Sequence, residues 1–210
     1  MIAEPIATAG NTLEIAFHGR GGQATMTAGN IITHALFLEG MEPHGQPRFT
    51  PDRMGAPVSY AIRLNRDRSP VYDRSWIRSP SLVVLFDLSL VTHLGVASTW
   101  RTGITVIANI PHDVPVPAEL GPFTLYALDA NAIATQCGLM KGSVPILSSA
   151  MCGAFARTTG LVSLESVQTA MAAAMKDALS RYMPANVEAL KRGYEEVSLY
   201  HPPVHTAAGG

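Results

Sequence analysis

The sequence carries little charge for its length. Only 15% of its 210 residues are Asp, Glu, Lys or Arg, whereas charged residues make up about a quarter of an average soluble domain. The 15 basic and 16 acidic residues give a formal net charge of -1. This balance argues against a nucleic-acid partner, because such proteins carry a basic excess or a basic stripe. The low charge has two open explanations: a high content of Ala, Gly and Pro, or burial of much of the surface against other subunits.

Cysteines and long apolar runs are also scarce. Cys137 and Cys152 are the only cysteines and form no CxxC pair, so this chain alone holds no iron–sulfur cluster, which needs about four thiolates. We expect both to be buried, unpaired thiols. No run reaches the roughly 18 apolar residues that span a bilayer, and residues 1–10 lack the basic and apolar regions of a secretory signal. We therefore expect a cytoplasmic protein with no membrane partner.

Complete catalytic or metal-binding motifs are absent from the sequence. The seven histidines form no HExxH pattern, and Ser148 and Ser149 lie outside any GxSxG elbow. The GDG…NN pattern of a thiamine diphosphate and magnesium site is missing as well. The residues thus predict a ligand-binding subunit without catalytic machinery of its own, and no metal site.

The first 40 residues predict a strand, a turn and a helix. Apolar residues alternate in residues 13–18, which is typical of a half-buried strand. The glycine-rich residues 19–22 should end this strand, and a helical pattern then runs to a stop at Gly40. This order is that of the opening unit of a Rossmann-like α/β fold.

The middle of the chain predicts a long loop followed by strands. Residues 41–57 contain four prolines and two glycines, and long loops in compact domains tend to be functional. Residues 58–64 alternate as a strand with one buried face, and 82–87 and 104–109 are nearly continuous apolar runs typical of central parallel strands. Residues 123–129 predict a further strand, followed by a short helix.

The C-terminal third is predicted to be helical. Ser163 is a suitable N-cap for a helix that runs to Tyr182 and ends at Pro184, and Asn186 can cap a last helix. The fold class is therefore α/β: a single Rossmann-like domain with a mostly parallel central sheet and a helical C-terminal third. We expect a mobile lead-in over 1–12, the domain over 13–200, and a disordered tail over 201–210.

The glycine-rich turn is the best candidate ligand site. Residues 19–24 fit the pattern GxGxx(G/A), and backbone N–H groups between a strand and a helix can face a phosphate. A nicotinamide dinucleotide site also needs an acid at the end of a second strand, but Glu39 and Glu42 lie at a helix end and in a loop. A dinucleotide, another phosphate-bearing ligand and a purely structural turn all remain open.

Three further residues have competing interpretations. His18 could contact a ligand beside the turn, although a hydrogen bond to the neighbouring loop is the more common role. Arg48 and Arg53, in the predicted long loop, could pair with phosphates or with carboxylates of a neighbouring subunit. Alternatively, both are solvated loop charges.

Four segments, in order, resemble one known family. FHGRGGQ, DRMGAPVSYAIRL, GAFARTTGLVSLESV and NVEALKRGYEEV are similar to the gamma subunit of 2-oxoacid:acceptor oxidoreductases, over about Leu13 to Val197. The first two segments are most similar to the pyruvate, 2-oxoisovalerate and aryl-glyoxylate (phenylglyoxylate-like) types. The resemblance implies a Rossmann-like fold and a complex that converts a 2-oxoacid, coenzyme A (CoA) and an oxidised acceptor into acyl-CoA, carbon dioxide and reduced acceptor.

The resemblance also implies where the cofactors lie. Thiamine diphosphate, magnesium and [4Fe–4S] clusters belong to thiamine-binding and ferredoxin-like partner subunits, and the acceptor is ferredoxin or NAD. This chain would hold no cofactor itself and would bind the CoA pyrophosphate at its surface. The residues implicated are Gly19, Gly21, Gly22 and Gln23.

The sequence departs from the family pattern at three places. Ala24 replaces a usual glycine, Met54 replaces a usual arginine, and Ser148-Ser149 replaces a usual Asn–Thr pair. These departures bear on how CoA is contacted. From the residues alone, a free-standing NAD-binding oxidoreductase and a purely structural subunit remain the alternatives.

Overall fold

The computed structural model describes residues 10–48, 54–111, 114–175 and 177–200, with the backbone only for 177–179. The strands are β1 (Thr12–Arg20), β2 (His44–Arg48), β3 (Pro57–Asn65), β4 (Leu82–Leu85), β5 (Thr105–Asn109), β6 (Thr124–Leu128), β7 (Met140–Lys141), β8 (Val144–Pro145) and β9 (Ser198–Leu199). The α-helices are α1 (Thr25–Leu38), α2 (Ser89–Thr92), α3 (Ala130–Gln136), α4 (Ser148–Thr159), α5 (Leu164–Ala174) and α6 (Met183–Glu196). Short 3-10 helices cover Val96–Thr99, Ala118–Leu120 and Asp177–Tyr182.

Seven strands form one sheet in the order β2-β3-β1-β4-β5-β6-β9. The four central strands β1, β4, β5 and β6 are parallel. The remaining strands, β2 and β3 at one edge and β9 at the other, run antiparallel to their neighbours. The predicted α/β class with a mostly parallel centre is confirmed, but β1, α1 and β3 do not form a parallel βαβ unit, because β3 pairs antiparallel with β1.

One face of the sheet, which we call the helical face, packs against α1 and α3–α6. Its core contains Leu13, Ile15 and Phe17 of β1, all fully buried. The Phe17 ring stacks on Phe155 of α4 with a centroid distance of 6.1 Å and meets Tyr60 edge-on at 6.4 Å. Because side chains alternate along a strand, the odd-numbered residues of β1 all point to this dry core.

The opposite face, which we call the loop face, has a smaller core. Alternate residues such as Val83 and Val106 pack there against Leu90 of α2, Trp100 and Leu120. Short helices and connecting segments cover this face. Among the described residues, no helix combines the length and the apolar character needed to cross a bilayer.

The structure corrects two predictions in the first half of the chain. β1 continues through Gly19 to Arg20, because these residues pair with Val58 and Pro57 of β3. The predicted loop 41–57 contains β2 in its first half. Pro47 is tolerated there because β2 is an edge strand, where the missing N–H breaks no inner ladder.

Most residues of the two predicted terminal segments lie outside the described part of the chain. β1 already begins at Thr12, inside the predicted lead-in 1–12. Residues 1–9 of that lead-in, and the whole predicted tail 201–210, lie outside the described residues.

The C-terminal third is helical as predicted, with different boundaries. Ser163 caps α5 as expected and accepts a hydrogen bond from the Ser166 N–H at 3.1 Å. However, α5 ends at Ala174 rather than at Tyr182. Pro184 does not end a helix but lies in the first turn of α6, where its missing N–H costs nothing.

Two further helical features differ from the predictions. Asn186 lies inside α6 and donates from Nδ2 to the Tyr182 carbonyl at 2.8 Å, so it does not cap the helix from outside. Helix α4, which packs closely against α6, is an element that the sequence patterns did not indicate.

Candidate functional site

The glycine turn, residues 19–24, lies at the carboxyl end of β1, immediately before α1. This is the edge of a parallel sheet at which ligands usually bind. A Cβ placed on Gly19 would lie 2.0 Å from Thr25 Oγ1. Only glycine therefore lets the strand end so close to the first residue of α1.

Part of the hydrogen-bonding capacity of the turn is used internally. The Gly21 N–H donates to the Ala56 carbonyl at 2.9 Å, and the Gly21 carbonyl accepts from the Gly55 N–H at 3.0 Å. The Gln23 N–H donates to the Arg20 carbonyl at 3.2 Å. Within the described residues the Gly22 N–H has no acceptor, so Gly22 is the predicted site residue whose N–H is available to a ligand.

Arg20 braces the turn from the loop face. Its guanidinium donates from Nε and Nη2 to Ser89 Oγ at 2.9 and 2.7 Å, and from Nη1 to the Gly55 carbonyl at 2.9 Å. Its Nε lies 3.6 Å from Asp87 Oδ2, and both side chains keep about a quarter of their surface exposed, 27% and 22%. The guanidinium is thus fixed in position but still reachable from solvent.

Asp87 is the residue at the centre of this arrangement. Its Oδ2 accepts from Gln23 Nε2 at 3.0 Å, and its Oδ1 accepts from the Ser89 N–H at 3.0 Å and from the Ser89 hydroxyl. Gln23 Oε1 in turn accepts from the Arg20 N–H at 2.8 Å. Gln23, a predicted site residue, therefore positions the turn through its side chain. The sequence did not single out Asp87, although an acid directly after a buried strand was the available signal.

The structure shows the surroundings of the residues that depart from the family pattern. Ala24 has φ 62° and ψ 31°, a left-handed conformation that glycine adopts without strain. Met54 is 61% exposed, and its Cε lies 3.0 Å from the position of a Cβ on Gly22, so its thioether covers the turn. Ser148 and Ser149 are buried at the start of α4, and Ser149 Oγ donates to Asn186 Oδ1 at 2.7 Å.

His18 has a different partner from the predicted loop. Its Nδ1 lies 3.0 Å from Ser59 Oγ of β3, and its ring stacks on Trp100 with centroids 5.9 Å apart. Burial lowers the pKa of His18 from 6.5 to about 4, because the charged imidazolium loses its hydration. His18 is therefore a neutral imidazole at neutral pH.

The remaining candidate residues are the two loop arginines and the two cysteines. Arg48 lies in β2 with its guanidinium carbon 5.0 Å from the centre of the Trp76 ring, and Arg53 lies outside the described residues. Both cysteines are unpaired as predicted. Cys152 is buried, which raises the pKa of its thiol, whereas Cys137 is only half-buried. No group of three or more His, Cys, Asp or Glu side chains within the described ranges is arranged to hold a metal ion.

Comparisons with known proteins concern the chain as a whole. The family described as "Pyruvate ferredoxin/flavodoxin oxidoreductase" matches residues 14–196. The chain is 34% identical, over 90% of its length and 98% of the relative's, to the pyruvate/ketoisovalerate oxidoreductases common subunit gamma of Pyrococcus abyssi. It is 35% identical to pyruvate synthase subunit PorC of Methanocaldococcus jannaschii, over 88% of this chain and 97% of that one.

A relative with an aromatic substrate in its name is equally similar. The gamma subunit of the NADH-dependent phenylglyoxylate dehydrogenase of Aromatoleum evansii is 34% identical, over 90% of this chain and 95% of its own length. Identity alone therefore does not separate aliphatic from aromatic 2-oxoacids.

Two solved structures share the fold. Pyruvate oxidoreductase subunit PORC of Thermotoga maritima superposes with a TM-score of 0.73 at 24% identity and covers 91% of this chain and all, 100%, of its own. The 2-oxoglutarate:ferredoxin oxidoreductase of Magnetococcus marinus, solved with 2-oxoglutarate, coenzyme A and succinyl-CoA bound, gives a TM-score of 0.73 at 15% identity. The match covers 92% of this chain and 33% of that one, and at these identities it establishes the fold alone.

Proposed function

The chain belongs to the pyruvate ferredoxin/flavodoxin oxidoreductase family, and from this premise we propose that it is the gamma subunit of a cytoplasmic 2-oxoacid oxidoreductase complex. The complex oxidises a 2-oxoacid with CoA to acyl-CoA and carbon dioxide and reduces an acceptor. Within it, this chain is structural and binds CoA at the glycine turn. The observation that carries the CoA assignment is the N–H of Gly22, which has no acceptor among the residues that the structure describes, in a turn braced by Asp87 and Arg20.

The names of the relatives support a proposal for the substrate and the acceptor. Pyruvate, a branched-chain 2-oxoacid or an aryl 2-oxoacid is supported by relatives named for pyruvate, ketoisovalerate and phenylglyoxylate. Ferredoxin or NAD takes the electrons. Thiamine diphosphate with magnesium, which supplies the decarboxylation chemistry, and the [4Fe–4S] clusters, which carry the electrons, belong to partner subunits.

The chain's own residues account for recognition of a pyrophosphate. The Gly22 N–H can donate to a phosphate oxygen, and α1 begins directly after the turn with its positive dipole end. The partly exposed Arg20 guanidinium adds a cation whose position is already set by Ser89 and the Gly55 carbonyl. Because Met54 is unbranched and exposed, its side chain can swing aside when the phosphate approaches.

A free-standing NAD-binding oxidoreductase fits the site less well. The acid needed for the ribose should follow a second parallel strand. The strand parallel to β1 is β4, but Asp87 after it already accepts hydrogen bonds from Gln23 and Ser89. Glu39 already serves another purpose, since its Oε1 accepts from the Ser163 N–H at 2.8 Å and from the Ser166 hydroxyl at 2.7 Å. These hydrogen bonds also lower the pKa of the Glu39 carboxyl.

Exposed apolar side chains support an interface role. Phe37, Met54 and Tyr72 are 64%, 61% and 85% exposed, and large exposed apolar residues become favourable when a partner covers them. This agrees with the explanation of the low charge as burial against other subunits.

Charge introduced at Met54 tests the CoA assignment in the assembled complex. Met54→Glu places a carboxylate above Gly22, where it repels a phosphate, and Met54→Gln is the neutral control of equal size. We expect Met54→Glu to raise the apparent KM for CoA about tenfold relative to Met54→Gln, as a like charge within a few Å does at a partly exposed site.

The same two variants distinguish CoA binding from a structural role of the turn. Reduction of the clusters by the 2-oxoacid in the absence of CoA should be equal in Met54→Glu, Met54→Gln and the parent complex. An equal KM for CoA in the two variants would show that the pyrophosphate does not lie at the turn. Equal loss of both half-reactions in Met54→Glu would show that the turn is structural.

A further inference from the structure

A second concave site lies on the loop face, separate from the glycine turn. It is an open cleft of about 1000 Å³ over β1, β2 and β3. We call it the tryptophan cleft and define it by His18, Arg48, Ser59, Trp76, Arg78 and Trp100. Ala16 and Ser59 contribute small side chains on the strands beneath it, and this leaves room above the sheet.

Both tryptophans of the sequence line this cleft. Trp100 is 8% exposed and held between the His18 ring, at 5.9 Å, and the Phe123 ring, at 5.5 Å. Trp76 is half-buried beneath the Arg48 guanidinium. The partly exposed Trp76 therefore presents an aromatic ring to the cleft, and the buried Trp100 lines the cleft with its position fixed by His18 and Phe123.

The charge of the cleft is positive. Arg48 and Arg78 are exposed at its rim, and none of the residues that line it is acidic. In the described part of the chain neither arginine forms an ion pair with a carboxylate. The remaining titratable lining group, His18, is uncharged at neutral pH, so no carboxylate of the described lining residues offsets the two guanidinium charges.

The segment that carries Trp76 and Arg78 forms one wall of the cleft. Hydrogen bonds hold this wall in position before a ligand binds. Buried Arg63 of β3 pairs with Glu14 at 2.7 Å and donates to the carbonyls of Asp73 and Ser75 at 2.8 and 3.0 Å. A second tie, from Arg101 Nε to Ser79 Oγ, measures 3.1 Å. A wall tied to the sheet on both sides of Trp76 loses little conformational entropy when a ligand binds.

We propose that the tryptophan cleft binds an adenine nucleotide, with the planar base against the partly exposed Trp76 ring and the phosphates on Arg48 and Arg78. Aromatic rings stack on bases of any sequence, and guanidinium groups match phosphate oxygens in geometry and charge. The nucleotide can be a free adenine nucleotide or the nucleotide part of CoA. None of residues 19–24 of the glycine turn lines the cleft, so the cleft is a separate site and does not depend on binding at the glycine turn.

Tryptophan fluorescence of the full chain tests this directly, because Trp76 and Trp100 are its only tryptophans. ADP, CoA and inorganic phosphate are titrated in turn, with excitation at the red edge of the tryptophan band, where adenine does not absorb. We expect saturable quenching by ADP and CoA. Arg48→Gln and Arg78→Gln should each raise the Kd for ADP about tenfold, the effect of losing one charge-assisted hydrogen bond.

The matched control is Arg157→Gln. Arg157 also lies over an aromatic ring, that of Tyr194 at 5.3 Å, but on the opposite side of the sheet. It should leave the Kd for ADP unchanged. Trp76→Phe, a change that keeps an aromatic ring, should retain ADP binding and lose part of the quenching.

Each outcome has a definite meaning. Equal affinity for ADP and CoA supports a free nucleotide, and at least tenfold tighter binding of CoA supports its nucleotide part as the ligand. Absence of quenching, quenching by phosphate alone at the same concentration, or an unchanged Kd in both cleft arginine variants overturns the proposal. Because Met54→Glu tests the glycine turn through the KM for CoA, failure of either site leaves the result for the other intact.

Discussion

The two faces of the central sheet are covered by different kinds of residue and secondary structure. On the helical face, small residues let whole helices meet: a Cβ on Gly153 of α4 would lie 2.0 Å from the Leu190 carbonyl oxygen, and one on Gly193 of α6 would lie 2.0 Å from that of Ala150. On the loop face, arginines, tryptophans and short helices cover the same strands and leave an open cleft.

This difference separates stability from recognition. On the helical face, α4 and α6 touch through their backbones, and burial of apolar surface in such a densely packed core is the dominant favourable contribution to folding. The loop face carries charged groups that are held by hydrogen bonds, as in the contacts of the partly exposed Arg20 and the buried Arg63. Segments on a rigid scaffold are where binding residues concentrate, and both proposed sites in this chain depend on such segments.

We expect the largest loss of stability when a single methyl group is added between the helices of the helical face. Gly153→Ala forces α4 and α6 apart, since the new Cβ would overlap the Leu190 carbonyl. We expect a loss of about 4 kcal/mol or more in the free energy of unfolding, or failure to fold. Urea unfolding followed by circular dichroism measures it.

The matched control lies among the loops of the other face. Gly103 has φ +79° and open space around a would-be Cβ. Gly103→Ala should therefore cost the left-handed backbone strain, about 1–2 kcal/mol, less about 0.5–1 kcal/mol gained because alanine restricts the unfolded chain, which is about 0.5–1 kcal/mol net. Equal losses in the two variants would refute the distinction between the faces.

His18 provides the next largest effect, on the loop face. Its pKa of about 4 in the folded chain lies below the ordinary 6.5, so between these values the unfolded chain takes up a proton that the folded chain does not. Stability is therefore full above about pH 7 and falls by about 3 kcal/mol as the pH drops to about 4. His18→Gln, which can keep a hydrogen bond to Ser59, should remove that part of the decline.

The pH dependence can be assigned by comparing variants. Urea midpoints measured between about pH 7 and pH 4 should run flatter for His18→Gln than for the parent, and His93→Gln, at an exposed position, should follow the parent. The Asp67 carboxyl, whose pKa hydrogen bonds from Ser69 and Asn11 lower to about 2, affects stability only at more acidic pH. Parallel curves for His18→Gln and the parent would show that His18 is not the group responsible.

The sequence predicted the central fold because its signals are local. Alternation of Leu13, Ile15 and Phe17 marks the dry side of β1, and the continuous apolar runs of β4 and β5 mark strands covered on both faces. It missed β2, because the prolines of residues 41–57 predict a loop and only the position of β2 at the sheet edge makes Pro47 acceptable. It also missed α4, because alanine, serine and glycine have no apolar periodicity when a helix is buried on nearly all sides.

The candidate sites were predictable to different extents. Residues 19–24 are consecutive, so the glycine turn could be located before its geometry was known. Asp87, which braces it through Gln23, comes from a strand more than 60 residues away. The tryptophan cleft brings together His18, Trp76 and Trp100 from three separate segments. Their spacing in the sequence does not indicate that they lie close together.

The smallest expected effect on stability is at Ala24, the last residue of the glycine turn. Its φ of 62° is left-handed, which costs an alanine about 1–2 kcal/mol, whereas glycine adopts it freely and loses about 0.5–1 kcal/mol through greater freedom of the unfolded chain. Ala24→Gly should therefore stabilise the fold by about 0.5–1 kcal/mol. In exposed Ala173 of right-handed α5, the same substitution should destabilise it by about 1 kcal/mol. Chemical denaturation of the two variants tests this, and a change of the same sign in both would show that the strain at Ala24 has no energetic weight.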